Sequence, residues 1–163
     1  MNYSAFLQDL DKRLLQYFEL HKDHINCHMG CSSCCEKGDY PLSQIELEYL
    51  MQGYIRLDDD IKRFVQENIK KMKKGEACPF LVNKKCSVYE YRPIICRVHG
   101  LAYLCKDETV KVPYCAKEGK NYTSVYKDGE IEINPIKENL DTQNILKDIE
   151  HGEIHNLIDW INS

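Results

Sequence analysis

The sequence predicts a small, mostly helical α+β domain in which short β-hairpins pack about a cysteine-rich core. Three observations carry this. Apolar residues at helical spacing dominate both ends of the chain, and short β-prone runs punctuated by turn residues fill its middle. Nine cysteines also occur in only 163 residues, four of them inside the nine-residue stretch Cys27–Cys35. A chain of this length builds one modest core, so a single domain over 1–163 is expected.

The first helix is expected to start at Ser4 as its cap and to run to about His21. Phe6, Leu10, Leu14 and Phe18 then share one face, which Leu7 and Leu15 widen. His21 and His24 fall at its exposed C-terminal end, where they suit the helix dipole. After the cysteine loop, Ser43 and Glu46 have capping-box spacing and Leu42 is placed to staple against Leu47. This second helix is expected to reach Met51 or Gln52 and to stop at Gly53. A third begins near residues 58–60, turns Ile61, Phe64, Val65, Ile69 and Met72 inward, and ends at Gly75. Its tail, Lys70 to Lys74, reads as a solvated helix end whose cations suit the dipole; a phosphate-binding patch is the other reading.

From Cys78 the pattern changes to turns and short strands. Phe80-Leu81-Val82 and Cys86-Ser87-Val88 flank the polar Asn83-Lys84-Lys85, a hairpin whose pairing would bring Cys78 and Cys86 near each other. Tyr89 to Arg92 reads as a tight helical turn halted by Pro93, with Cys96 three residues on. Residues 101–105 and 109–112 predict another hairpin that delivers Cys115 just past Pro113. Residues 123–127 and 130–133 flank Asp128-Gly129, a strong hairpin turn. Residues 139–149 and 153–161 read as helical with a break at Gly152. Ile154, Leu157, Ile158 and Ile161 then make an apolar face and Trp160 covers the core.

Composition narrows the chemistry. Apolar residues make up 43% and charged residues 29%, an ordinary globular balance. A net charge of −4 favours solubility and argues against general nucleic-acid binding. No apolar run approaches the roughly 20 residues that span a bilayer, and Met1-Asn2-Tyr3-Ser4 opens no secretory signal. A cytoplasmic protein without a membrane partner is expected. In a reducing compartment clustered thiols point to metal or redox chemistry rather than disulfides, and nine is an odd number to pair.

Cys27-His28-Met29-Gly30-Cys31-Ser32-Ser33-Cys34-Cys35 is poor material for a helix or strand but suits a loop wrapped around a metal. Cys31-x-x-Cys34 has knuckle spacing, and adjacent Cys34 and Cys35, whose side chains tend to diverge, could serve two separate centres. Zinc and iron–sulfur clusters both take four cysteine ligands, so spacing leaves the metal open between them.

The run Cys27-x3-Cys31-x2-Cys34-Cys35, with Cys78-Pro79-Phe80-Leu81 and Cys86-Ser-Val-Tyr-Glu-Tyr-Arg-Pro-Ile-Ile-Cys96-Arg-Val-His-Gly100, resembles the YkgJ-like cysteine-cluster family, whose domain is described as zinc- or iron-chelating. The resemblance covers about 25–116, leaving 1–24 and 138–162 as packing helices. It implies eight metal-ligating cysteines: Cys27, Cys31, Cys34, Cys35, Cys78, Cys86, Cys96 and Cys115, with Cys105 the odd thiol. Eight thiolates allow two four-cysteine centres, or one cluster with spare thiols. Arg92, Arg97 and His99 gather positive charge beside the second set, either to neutralise a metal–thiolate site or to bind a small anionic ligand. His28 and His99 are ligand candidates only as replacements for a cysteine.

Three functions follow. The first is a metal-binding protein with zinc or an iron–sulfur cluster at its structural heart. The second is an iron–sulfur enzyme, an oxidoreductase or methyltransferase, because the family resembled includes flagellin lysine methylases and proteins labelled oxidoreductases. The sequence shows no Gly-rich nucleotide loop and no nucleophile–base pair that would single out a reaction. The third is a zinc-shaped module for a protein or nucleic-acid partner, with Lys70 to Lys74 as its footprint.

Overall fold

Asn2, rather than Ser4, starts the first helix. In the computed structural model, which describes residues 2–28, 31–73 and 76–163, the Asn2 side chain accepts the Ser4 N–H at 3.0 Å and α1 runs Tyr3–Leu20. Either residue type can cap; the one earlier in the chain leaves a further turn helical. Leu7, Leu10 and Leu14 are buried as the periodicity requires, whereas Leu15 remains 73% exposed. His21 is also not at an exposed end. It is buried against Tyr122, whose hydroxyl lies 2.8 Å from its Nδ1.

The described chain divides into two units, Met1–Cys27 with Arg97–Glu150 and His28–Cys96 with His151–Ser163. In the second, β1 (Pro41–Ser43) leads into α2 (Gln44–Ile55), and Ser43 and Glu46 close the expected capping box. Leu42 lies in the core and Leu47 packs against that core, as a hydrophobic staple requires. Helix α2 does not stop at Gly53 but continues to Ile55. Gly53 is a packing position instead, since a Cβ there would lie 2.6 Å from the Tyr91 ring. Helix α3 (Asp59–Lys71) ends in extended backbone at Met72. The expected stop at Gly75 and the Lys74 end of the lysine run lie outside the described residues, as do Met29 and Gly30 of the cysteine loop.

The next hairpin forms as predicted. β2 (Leu81–Val82) and β3 (Lys85–Cys86) pair Leu81 with Cys86, across a turn in which Asn83 and Lys84 both have positive φ. The tight turn Tyr89–Tyr91 and α4 (Ile94–Val98) follow, with Cys96 in the middle of the helix. Leu42, Leu50, Val65, Phe80, Val82, Val88 and Leu157 form the core of this unit.

Beyond α4 the chain continues in the first unit. β4 (Tyr103–Leu104) and β5 (Val110–Lys111) form the predicted hairpin, and α5 (Tyr114–Lys117) carries Cys115 inward. β6 (Tyr126–Lys127) and β7 (Glu130–Ile131) form the hairpin around Asp128-Gly129. Ala102, Ala116 and Tyr122 are buried beneath Ile25, Val112, Val125 and the last hairpin. The helix expected over 139–149 shrinks to α6 (Thr142–Ile145).

The C-terminal stretch departs further from its helical pattern. Residues 154–156 form β8 (Ile154–Asn156), paired antiparallel with β1 as Leu42 opposite His155, and only α7 (Leu157–Asn162) is helical. Trp160 does cover the core, donating its indole N–H to the Leu42 carbonyl at 2.9 Å. Among the described residues every sheet is a two-stranded antiparallel ladder, so the architecture is the predicted helix-rich α+β with short strand pairs.

Candidate metal centre

Local hydrogen bonding shapes the cysteine loop before any metal does. The Ser32 carbonyl accepts the N–H groups of Cys35 and Glu36 at 2.9 and 3.0 Å, and its hydroxyl donates to the Glu36 carboxylate at 2.6 Å. These bonds wind Cys35–Lys37 into a 3₁₀ turn, with Cys34 already in helical backbone. The Cys35 carbonyl then accepts the Cys78 N–H at 2.7 Å, joining two cysteine segments far apart in the chain. Gly38 permits that approach, because a Cβ there would lie 2.5 Å from the Cys78 Cβ. The β2–β3 hairpin brings in Cys86, and α4 brings in Cys96.

Five thiols in this unit act on one another. The Cys35 thiol donates a hydrogen bond to Cys34, which lowers the Cys34 pKa and raises that of Cys35; Cys78 and Cys96 raise Cys35 further. The two adjacent thiols therefore act directly on each other, with Cys34 and the 3₁₀ turn after it both in helical backbone. Burial pushes Cys78 up to about 12, with Cys86 and Cys34 adding to the rise. Burial also raises Cys86, and it raises Cys96 well above the ordinary thiol range, with Cys78, Cys34 and Cys86 contributing. Thiolates this close and this sheltered cannot all ionise without a cation. A soft donor set that resists its own ionisation fits a thiophilic metal, which supplies the missing charge. Among the described residues, no three Cys, His, Asp or Glu side chains close to the spacing of a finished metal cage. No disulfide joins any of the nine cysteines.

Two neighbours complete this group. Arg92 lowers Cys34, Cys86 and Cys96 electrostatically, opposing the effect of burial, and its guanidinium lies over the Tyr89 ring at 3.6 Å. Tyr40 went unnoticed in the sequence. Burial raises its hydroxyl pKa, and so do Cys34, Cys96, Cys35 and Cys78, which places the phenol beside the sulfurs.

The remaining candidates lie elsewhere. Cys31, in the same unit, directs its thiol toward the Ser33 hydroxyl at 4.0 Å. Cys27 and Cys115 belong to the first unit, where both act on Tyr122, a phenol pushed up to about 12, chiefly by burial. Arg97 also belongs there; it is 7% exposed and pairs with Asp11 at 2.6 Å. Burial lowers the pKa of His99, and Lys111 adds to that. Cys105 sits at the β4–β5 turn among Asp107, Thr109, Lys111 and Asp141. Cys105→Ser is accordingly expected to leave metal content unchanged and stability within about 0.5 kcal/mol of wild type, as metal analysis and a melting curve will show.

A family model described as "CxxCxxCC: Putative zinc- or iron-chelating domain" matches residues 26–133, more than half of the chain. The chain belongs to this family. The CxxCxxCC match runs from just before Cys27, past Cys115, to the end of the β6–β7 hairpin region, further than the resemblance legible in the cysteine motifs. Metal binding is the general activity that membership assigns, with the metal described only as zinc or iron. No curated protein and no solved structure matches the chain. Among the described residues no helix is long and apolar enough to cross a membrane.

Proposed function

We propose that the protein holds zinc or an iron–sulfur cluster on its clustered cysteines, and that the bound metal is the structural centre of the cysteine-rich unit. The single observation carrying this is the mutual action of Cys34, Cys35, Cys78, Cys86 and Cys96, brought together from a loop, a hairpin and a helix. In this reading Cys31 joins the ligands of the cysteine-rich unit, Cys27 and Cys115 are metal ligands in the first unit, and Arg92 offsets thiolate charge. When bound, the metal withdraws charge from the thiolates and closes the loop, hairpin and helix on one point.

Zinc and an iron–sulfur cluster each take four thiolates, so the five thiols of this group suffice for one zinc or for one cluster, with a thiol to spare. An oxidoreductase or methyltransferase role would build on that cluster. Metal analysis and a visible spectrum of anaerobically purified protein test both readings together. Broad visible charge-transfer absorption with iron and sulfide identifies a cluster, and a colourless protein with stoichiometric zinc identifies the structural metal. A reduced chain that carries neither metal and takes up neither on reconstitution would overturn the proposal.

A further inference from the structure

Cys27 is an exposed residue, yet its sulfur accepts a hydrogen bond from a buried side chain, the amide of Asn121. Asn121 is 1% exposed and makes three bonds through its amide. Its Oδ1 accepts the Asn26 N–H at 2.8 Å, and its Nδ2 donates to the Gly100 carbonyl at 2.9 Å and to the Cys27 Sγ at 3.2 Å. The orientation of the amide is not open to choice. A backbone N–H demands the oxygen on one side and a backbone carbonyl demands the nitrogen on the other, so the second N–H of Nδ2 is left directed at sulfur.

The surroundings are built for this contact. Tyr122 donates its backbone N–H to the His24 carbonyl at 2.7 Å, pinning residues 120–122 alongside the stretch that leads into Cys27. The Tyr122 backbone has φ +57°, a left-handed conformation that a bulky residue adopts only under constraint from its neighbours. Gly100 has φ +99°, and a Cβ there would lie 2.9 Å from both the Cys27 Sγ and the Asn121 Nδ2. Only glycine leaves room for the sulfur and the amide together.

We propose that Asn121 is a positioning residue for Cys27 as a metal ligand: its side-chain amide holds the Cys27 sulfur by an N–H···S hydrogen bond while that sulfur is bound to metal. The inference rests on the reading above, in which Cys27 is a ligand. A thiolate keeps lone pairs after binding a metal, and a donor aimed at one of them fixes the side-chain rotamer and draws off charge.

Asn121→Asp tests this in the full-length protein. The carboxylate has nearly the same shape and still accepts the Asn26 N–H, but it has no proton for sulfur and adds a like charge beside it. The reduced protein is loaded with Cd²⁺ alone, and the alkylation of each cysteine by iodoacetamide is followed by mass spectrometry. The expected result is that Cys27 in the variant is alkylated about tenfold or more faster than in loaded wild type, while Cys34, Cys78, Cys86 and Cys96 stay protected. Undiminished protection of Cys27 would overturn the inference and leave the metal centre standing. No protection of any cysteine in wild type would overturn both. Should the variant fail to fold, wild type loaded with an NMR-active cadmium isotope decides. Scalar coupling between cadmium and an Asn121 side-chain proton is expected, and its absence at a coordinated Cys27 overturns the proposal.

Discussion

Stripping the metal from anaerobically purified protein is expected to lower the apparent stability of the cysteine-rich unit by on the order of 10 kcal/mol, as for structural metal–thiolate sites. The reason lies in how Cys34, Cys35, Cys78, Cys86 and Cys96 are connected. They sit on the loop and 3₁₀ turn of residues 34–37, on the segment leading into β2, on β3 and on a five-residue helix, none of which forms stably alone. The unit does have an apolar core, and Phe80, Val82 and Val88 of the thiol-bearing segment share it with Leu50 of α2 and Val65 of α3. Chelation is therefore expected to abolish protection of the Cys31–Gly38 and Cys78–Val98 amides in hydrogen exchange and, through Phe80, Val82 and Val88, to loosen the packing on α2 and α3. Re-addition of metal should restore it. A chain whose exchange and melting curve ignore complete metal removal would refute the structural role.

The same thiols set a pH dependence with a definite sign. In the metal-free chain, burial raises Cys78, Cys86 and Cys96 above the ordinary thiol value of 9.0, so the folded state keeps protons that the unfolded chain releases. The contribution of these three thiols to the metal-free form should therefore be full below about pH 9 and fall as pH climbs toward 12, whereas Cys34, lowered to about 7, acts in the opposite sense and loses its contribution as pH falls through that value. The metal-bound form behaves oppositely at the acid end, because protons compete with metal for sulfur and chelators win more easily as pH falls.

What could be read from the sequence was local. The Ser43–Glu46 capping box and the turns at Asn83-Lys84 and Asp128-Gly129 depend on residues two to four apart, and each forms as read. The thiols that would gather were also legible in part, because Cys78 and Cys86 flank one hairpin. The losses were non-local. The pairing of β1 with β8 turns a helical pattern at residues 154–156 into a strand, and only the distant edge at residues 41–43 could have revealed it. Tyr91 makes a packing site of Gly53, and Tyr122 makes a buried wired ring of His21. Tyr40 and Asn121 carry no motif; each matters through sulfurs or amides that the fold brings to it. Cys34 and Cys35 diverge in extended backbone but meet in a helical turn, and the Ser32 bonds that make the turn are not visible as spacing.

Glu46→Ala is expected to cost about 2–6 kcal/mol, since it leaves two buried backbone donors without an acceptor at roughly 1–3 kcal/mol each. Glu46 is 1% exposed, and one carboxylate serves two elements. One oxygen accepts the Ser43 N–H at 2.7 Å and its hydroxyl at 2.8 Å, which starts α2; the other accepts the Ile94 N–H at 2.8 Å, which starts α4. Cys96 lies two residues beyond Ile94, so the cap of one helix also sets the position of a thiol. Metal should accordingly leave the Ala variant faster than wild type in a chelator chase, even where the fold persists. Glu46→Gln separates geometry from charge, because it keeps an oxygen for one element and removes the buried negative charge. Burial raises the Glu46 pKa above 4.5, so the carboxyl's contribution is full below that value and diminishes as pH rises through the folded pKa. The deficit of the Gln variant against wild type should therefore be larger at acid pH than at neutral pH in urea melts. Equal melting of wild type and Glu46→Ala would mean that the carboxylate does not join the two helices.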